Sequence, residues 1–329
     1  MMNRMLWTLS LAGCLFATAC KEAPVGSKER PFTMYFVPSV EAEGIALSAE
    51  KITQFVEKRV SEKLYKGQQS FHVKSAIPTS YIAVVEAFGT NKADFAALTS
   101  FSYILAREIK KYDCQAVLSV IRGDNERTYK GQIIVHADSP IQKLEDLQGK
   151  KFGFTDPAST SGFILPSKLF RDMGIELGET VFAGKHDSVV MMVYQKQVDA
   201  GATYYSPPKI VVEDGTTRTL IRDAREKVKT QYPDVEDKVR ILAFTQDIPN
   251  DPWVMRNHIL SDPVEDARLR EAVVESLLEY AADPVGRKAL EELYSVTGLV
   301  RANDATYEPL RQALGGANID LEALLTKKK

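Results

Sequence analysis

A chain of 329 residues is too long for one compact core of ordinary size, and about two domains are expected. Its 44% apolar and 26% charged residues are those of an ordinary folded protein. A formal charge of -2 with no basic stripe excludes a general nucleic-acid binder, which needs positive charge to match a phosphate backbone.

The N-terminus differs in kind from the rest. "MMNR" carries one positive charge, "MLWTLSLAGCLFATA" carries none, and Lys21 opens a polar stretch, the pattern of an export signal over residues 1–20. The apolar run is short for a spanning helix, which needs about 20 apolar residues. Both "LAGC", ending at Cys14, and "ATAC", ending at Cys20, resemble the lipobox of bacterial lipoproteins, in which the cysteine is lipidated and becomes the new N-terminus. Cys20 is the expected site, because cleavage before Cys14 would leave "LFATA" exposed, although Leu11 is the better residue at its motif position. A plain signal peptide or an uncleaved anchor is the alternative. The expectation is a protein in the periplasm or at the cell surface, lipid-anchored to the membrane. Removal of the signal leaves too few cysteines for disulfides to hold the chain together. Cys114 reads as a free, partly buried thiol, with a soft-ion ligand as the sharper alternative.

After a polar linker (21–31), "FTMYFV" reads as a strand and leads to a helix from near Ser48, where Ile52, Phe55, Val56, Val60 and Leu64 fall at helical spacing. "SFHVKSAI" alternates as a strand does. A helix over 79–88, the strand "ADFAAL", a helix over 100–110 and the strand "QAVLSVI" follow. From Lys130 the rhythm restarts: "GQIIVH", a short helix around Ile141 to Leu147, "KKFGFT", a helix from about Ser161, "TVFAG", a helix over 187–197 and "DAGAT". A charged helix over 218–230 and the strand "KVRILAFT" come next, and the segment from Pro252 onward reads as almost wholly helical. Helices between strands predict mainly parallel sheets covered on both faces. The expected architecture is α/β, with a first lobe of 32–124 plus 245–329, a second of 125–244, and a ligand cleft between them.

"DPASTSGF" places Ser159, Thr160 and Ser161 between the turn-forming Pro157 and Gly162, after a strand and before a helix. A helix N-terminus presents unpaired N–H groups and a positive dipole end, so three hydroxyl donors beside it form a cradle for an oxyanion. An ordinary N-cap is the alternative and would need only one hydroxyl. The missing Gly-Lys-Ser/Thr pattern excludes a Walker-type phosphate loop.

"DPASTSGFILP", "FAGKHDSVVMMVYQKQVDAGAT" and "DIPNDPWVMR", in this order, resemble the binding proteins of phosphate, phosphite and phosphonate ABC transporters, over a span from about Phe32 to the helical C-terminus. The resemblance implies the type II periplasmic-binding-protein fold. It also implies that Ser159, Thr160 and Ser161 form an oxyanion loop, that His186 points at the same oxyanion, and that Tyr81 is donated by the first lobe. Asp251 matches an acid at the cleft that accepts from a protonated ligand or a ligand amine. The sequence departs from the family in two places: "ALTSFSY" puts Leu98 where a Tyr or small polar residue is usual, leaving Thr99 and Ser100 as donors, and "YYSPPK" offers Tyr204, Tyr205 and Ser206 where aminophosphonate binders carry an acid.

The expected function is reversible capture of phosphate, phosphite or a small phosphonate by a monomer that hands it to an ABC permease, with no cofactor, metal or nucleic acid. The alternative keeps the fold but has an arsenic or sulfur oxyanion as ligand and a sensor kinase as partner. A hydrolase is the remote alternative: Ser, His and Asp are all present, but no G-x-S-x-G elbow exists and His72, His136, His186 and His258 stand singly.

Overall fold

The computed structural model describes residues 23–67, 70–213 and 215–315. The export signal, with Cys14 and Cys20, lies outside the described residues, as does the C-terminal lysine run. Among the described residues no helix is long and apolar enough to cross a membrane.

The first half of the chain forms β1 (Phe32–Phe36), α1 (Ala42–Tyr65), β2 (Val73–Ala76), α2 (Tyr81–Gly89), β3 (Phe95–Ala97), α3 (Ser100–Ile104) and β4 (Cys114–Ile121). It then forms β5 (Thr128–His136), β6 (Phe152–Phe154), α4 (Leu165–Asp172), β7 (Thr180–Phe182), α5 (His186–Tyr194) and β8 (Ala200–Tyr205). A hairpin of β9 (Lys209–Glu213) and β10 (Thr216–Leu220) follows, then α6 (Val235–Lys238), β11 (Val239–Pro249), β12 (Pro252–Arg256), α7 (Pro263–Ala282), α8 (Pro284–Tyr294), β13 (Gly298–Arg301) and α9 (Glu308–Gly315).

Two α/β lobes result. The first sheet has the order β13-β4-β12-β3-β1-β2, and the second β11-β5-β8-β6-β7. Both are mixed where the alternation of elements predicts mainly parallel sheets. β1, β2 and β3 run parallel, but β12 lies antiparallel between β3 and β4, and β5 lies antiparallel between β11 and β8. The cause is the path of the chain: a strand that arrives from the other lobe enters its sheet without the crossover helix that parallel pairing requires.

Local departures have local causes. α1 begins six residues before Ser48 because Ile45 and Ala49 extend the buried stripe of Ile52, Val56 and Val60. Lys66 ends it in the left-handed conformation, with its N–H returned to the Ser61 carbonyl. The segment 218–230 is not a helix. Arg218, Thr219 and Leu220 complete the β9–β10 hairpin, and only Ala224–Val228 forms a short 3-10 turn, capped by the buried Asp223 carboxylate. Nor is the chain wholly helical after Pro252: β12 is a central strand, with Pro252 at its first position, where a missing N–H is tolerated, and Trp253 packed edge-on against Phe95.

One core packs α1, α7 and α8 on the first sheet, with Phe32, Ile52, Trp253 and Leu277 at its centre. A second runs without interruption from Tyr81 and Phe101 to Phe152, Ile164 and Ala202, so it joins the two lobes. The chain passes between the sheets after β4 and again after β11. Asn250 stitches the two passages together, its amide donating to the Val120 and Glu126 carbonyls at 3.0 and 2.8 Å.

Candidate functional site

β6 ends at Phe154, and the next residues turn toward the first lobe. The Asp156 carboxylate accepts from Ala158 N at 2.8 Å and, across the cleft, from Tyr81 N at 3.3 Å. Ser159 caps the following helix, its Oγ accepting from Gly162 N at 3.1 Å, and residues Thr160–Ile164 form a π turn that feeds α4. A Cβ on Gly162 would lie 2.2 Å from Thr155 Oγ1. That glycine therefore allows the loop to close down on Thr155, a different use from bringing the backbone to a ligand.

The expected donors divide into two groups. Thr160 Oγ1 accepts from Phe101 N at 2.9 Å, and Ser100 Oγ donates to the Pro249 carbonyl at 2.6 Å, so neither belongs to the cavity wall. Thr99 reaches the wall but donates to the Ala158 carbonyl at 3.0 Å while its oxygen caps α3. The Phe101–Thr160 and Thr99–Ala158 bonds run from the start of α3 in one lobe to the hydroxyl loop of the other. With His186 N on the Ser39 carbonyl at 3.2 Å and Lys185 Nζ on Glu41 at 2.7 Å, they hold the lobes together in a closed arrangement.

Ser159, Ser161, His186, Tyr81, Tyr204 and Asp251 do converge, on a cavity of about 70 Å³ between the lobes. One water needs about 10–15 Å³ on this scale, so a solute of a few heavy atoms fits. The Tyr81 hydroxyl is buried there with no hydrogen-bond partner, and burial drives its pKa well up, so it stays a proton donor. The Ser159 hydroxyl keeps its proton free of the capping bond, in which it only accepts. Burial pushes the His186 imidazole down to about 3, and the ring sits edge-to-face with Tyr204 at 4.9 Å.

Asp251 is engaged differently from the expectation. Its carboxylate pairs with Arg122 Nη2 at 2.8 Å and accepts from the Tyr129 hydroxyl at 3.3 Å. Arg122, Tyr129, Arg222 and Tyr294 are wall residues that the sequence reading missed. Arg122 carries one usable signal, its position just beyond the carboxyl end of β4, where α/β sheets place ligands. Arg222 forms a two-bond pair with Glu126 at 2.7 Å and anchors the base of the β9–β10 hairpin through the Pro207 carbonyl.

The remaining candidates lie elsewhere. Ser206 lines the cavity, but Tyr205 packs at a tilt against Phe244, ring centroids 4.5 Å apart, and is not part of the wall. Cys114 is buried with its thiol pushed up to about 12, and among the described residues no three His, Cys, Asp or Glu side chains gather as metal ligands. His72, His136 and His258 are not among the residues that line the cavity.

The family model of the periplasmic substrate-binding proteins of phosphonate ABC transporters matches residues 35–307. The phosphonates-binding periplasmic protein of Escherichia coli K12 is 27% identical over 248 residues, 73% of this chain and 65% of that protein. The aligned stretch thus spans just under two thirds of that relative's length. Among solved structures, a binding-protein component of an ABC phosphonate transporter from Pseudomonas aeruginosa superposes with a TM-score of 0.68 at 18% identity, covering 92% of this chain and 97% of that one. The Prochlorococcus marinus protein PhnD1 in complex with methylphosphonate gives 0.66 at 17% identity, covering 87% and 98%.

Proposed function

Since the chain belongs to the family of periplasmic substrate-binding proteins of phosphonate ABC transporters, we propose that it captures a small tetrahedral oxyanion in the cavity between its lobes and presents it to an ABC permease. The buried, unpartnered hydroxyl of Tyr81 carries this reading: a buried polar group without a partner costs about 1–3 kcal/mol, and a bound anion removes that cost. The Ser159 and Ser161 hydroxyls and the first-turn N–H groups of the loop complete the donor set opposite it. Arg122, Arg222 and Lys227 on the wall are each balanced by a carboxylate, of Asp251, Glu126 and Glu226 in turn, so the hydroxyl donors do most of the holding.

Phosphate, phosphite and a small alkylphosphonate all suit the size of the cavity. An aminoalkylphosphonate fits poorly, because the carboxylate that would hold its amine already pairs with Arg122. The closed lobes explain how binding is signalled: water leaves, charge-assisted bonds strengthen, and a ligand that prefers the closed form shifts the population toward it. The proposed setting is extracytoplasmic, with a monomer tethered through a lipid on Cys20.

Thermal melting and calorimetric titration with phosphate, phosphite, methylphosphonate, sulfate and arsenite test this reading. At least one phosphorus oxyanion should raise the melting temperature and give saturable heat, because a ligand confined to the folded state stabilises it. No response to any of them would refute the proposal.

A further inference from the structure

The hydrogen bonds behind His186 fix which of its nitrogens carries the proton. Thr155 Oγ1 lies 3.2 Å from the Ala202 carbonyl oxygen and 3.1 Å from His186 Nδ1. A carbonyl only accepts, and a hydroxyl has one proton. Both contacts are satisfied only when Thr155 donates to Ala202 and the imidazole donates from Nδ1–H to Thr155. Nε2 is then a bare lone pair on a ring that lines the cavity, and no group among the described residues hydrogen-bonds it.

Nothing facing the ring favours a second proton. On its own element, the Asp187 carboxylate accepts from Ser188 N, and Lys185 pairs with Glu41. On the other walls, Arg122 is bound to Asp251, Arg222 to Glu126 and Lys227 to Glu226. Tyr204 presents its ring to the imidazole. The residue is 4% exposed, and the pKa of its ring is lowered by that burial.

The geometry points to His186 as a hydrogen-bond acceptor, so that the cavity selects oxyanions that bring a proton of their own, such as a phosphonate or phosphate carrying one P–OH, over sulfonates and sulfate, which carry none near neutral pH. This rests on the reading of the cavity as an oxyanion site, at which the resemblance implies that His186 points. Tyr81, Ser159 and Ser161 receive the charged oxygens, and Nε2 receives the ligand's hydroxyl. A sulfonate of the same shape would set an oxygen lone pair against the nitrogen lone pair. Thr155 acts as a positioning residue, holding the tautomer.

The test compares matched pairs by calorimetry at pH 7, methylphosphonate against methanesulfonate and phosphate against sulfate. It is run on the wild-type protein and on Thr155→Val, with the His186 nitrogen resonances read by NMR in the wild-type complex. Expected are a preference of at least about 100-fold for the phosphorus member, one protonated nitrogen on His186, and a preference reduced at least tenfold in Thr155→Val. A preference under tenfold in the wild type, or two protonated nitrogens in the complex, overturns the acceptor role and leaves the oxyanion site standing. Binding of neither member of either pair removes the site itself, and this inference with it. The resonances are read on wild-type protein, so the tautomer is decided even if Thr155→Val fails to fold.

Discussion

Thr160 Oγ1 accepts a hydrogen bond from the backbone N–H of Phe101 at 2.9 Å, joining the middle hydroxyl of the "STS" loop in one lobe to the first turn of α3 in the other. The residue at the centre of the expected anion cradle is thus a latch between lobes. Thr160→Val leaves the Phe101 N–H buried and unpaired in the closed form, at a cost of about 1–3 kcal/mol. Oxyanion affinity should fall by roughly fivefold to hundredfold, since each 1.4 kcal/mol is a factor of ten. Solution scattering on the ligand-saturated variant should show a larger population of open molecules than the wild type shows. Unchanged affinity would remove the latch.

Tyr81→Phe should move two measurements in opposite directions. Without ligand, the variant loses a buried hydroxyl that has no partner, so its melting temperature should hold or rise. With ligand, it loses a hydrogen bond to a charged group, worth about 1.5–3 kcal/mol, and affinity should drop by roughly tenfold to a hundredfold. A fall in ligand-free stability with affinity intact would mark the ring as a core residue only.

Gly162→Ala tests the packing beneath the loop. The new methyl would meet Thr155 Oγ1 at 2.2 Å and Ser159 Oγ at 2.9 Å, so the loop must move. A destabilisation of about 1–3 kcal/mol in urea unfolding is expected from overpacking, together with loss of oxyanion binding. Retained binding would show that the loop tolerates the shift.

Much of this site was legible because its parts are local. A strand, a proline turn and three hydroxyls before an apolar helix announce a helix N-terminus whatever the rest of the chain does, and the family motifs place His186, Tyr81 and Asp251 beside it. What each hydroxyl does depends on what lies opposite, which no spacing records. Thr160 and Ser100 turn to Phe101 N and the Pro249 carbonyl, 59 and 149 residues away in sequence. Arg122 pairs with an acid 129 residues later, so Asp251 read alone kept an open carboxylate. The fold class followed from the alternation of elements. The mixed sheets did not, since the antiparallel strands β5 and β12 follow directly on passages between lobes. The β9–β10 hairpin was lost because charges at near-helical spacing outweighed its threonines.

Acid should weaken the fold partly through His186. Burial holds its pKa near about 3, below its ordinary value of about 6.5. Between those values the unfolded chain binds the extra proton, so stability is full above about pH 6.5 and is lost as pH falls toward 3. The slope for one group reaches at most about 1.4 kcal/mol per pH unit. Urea unfolding from pH 7 to 5 should therefore show a steeper loss for the wild type than for His186→Asn. His136, whose pKa is also lowered, contributes equally to both, and the difference isolates His186. Equal slopes would mean that the native imidazole takes up its proton as readily as the unfolded one, against a burial-lowered pKa.

A crystal structure of the protein with methylphosphonate would decide whether the cavity between the lobes holds the oxyanion. Phosphonate oxygens are expected within about 3 Å of the Tyr81 hydroxyl and Ser159 Oγ, between closed lobes. A ligand bound away from that cavity, or a complex in which the Tyr81 hydroxyl still has no partner, would contradict it.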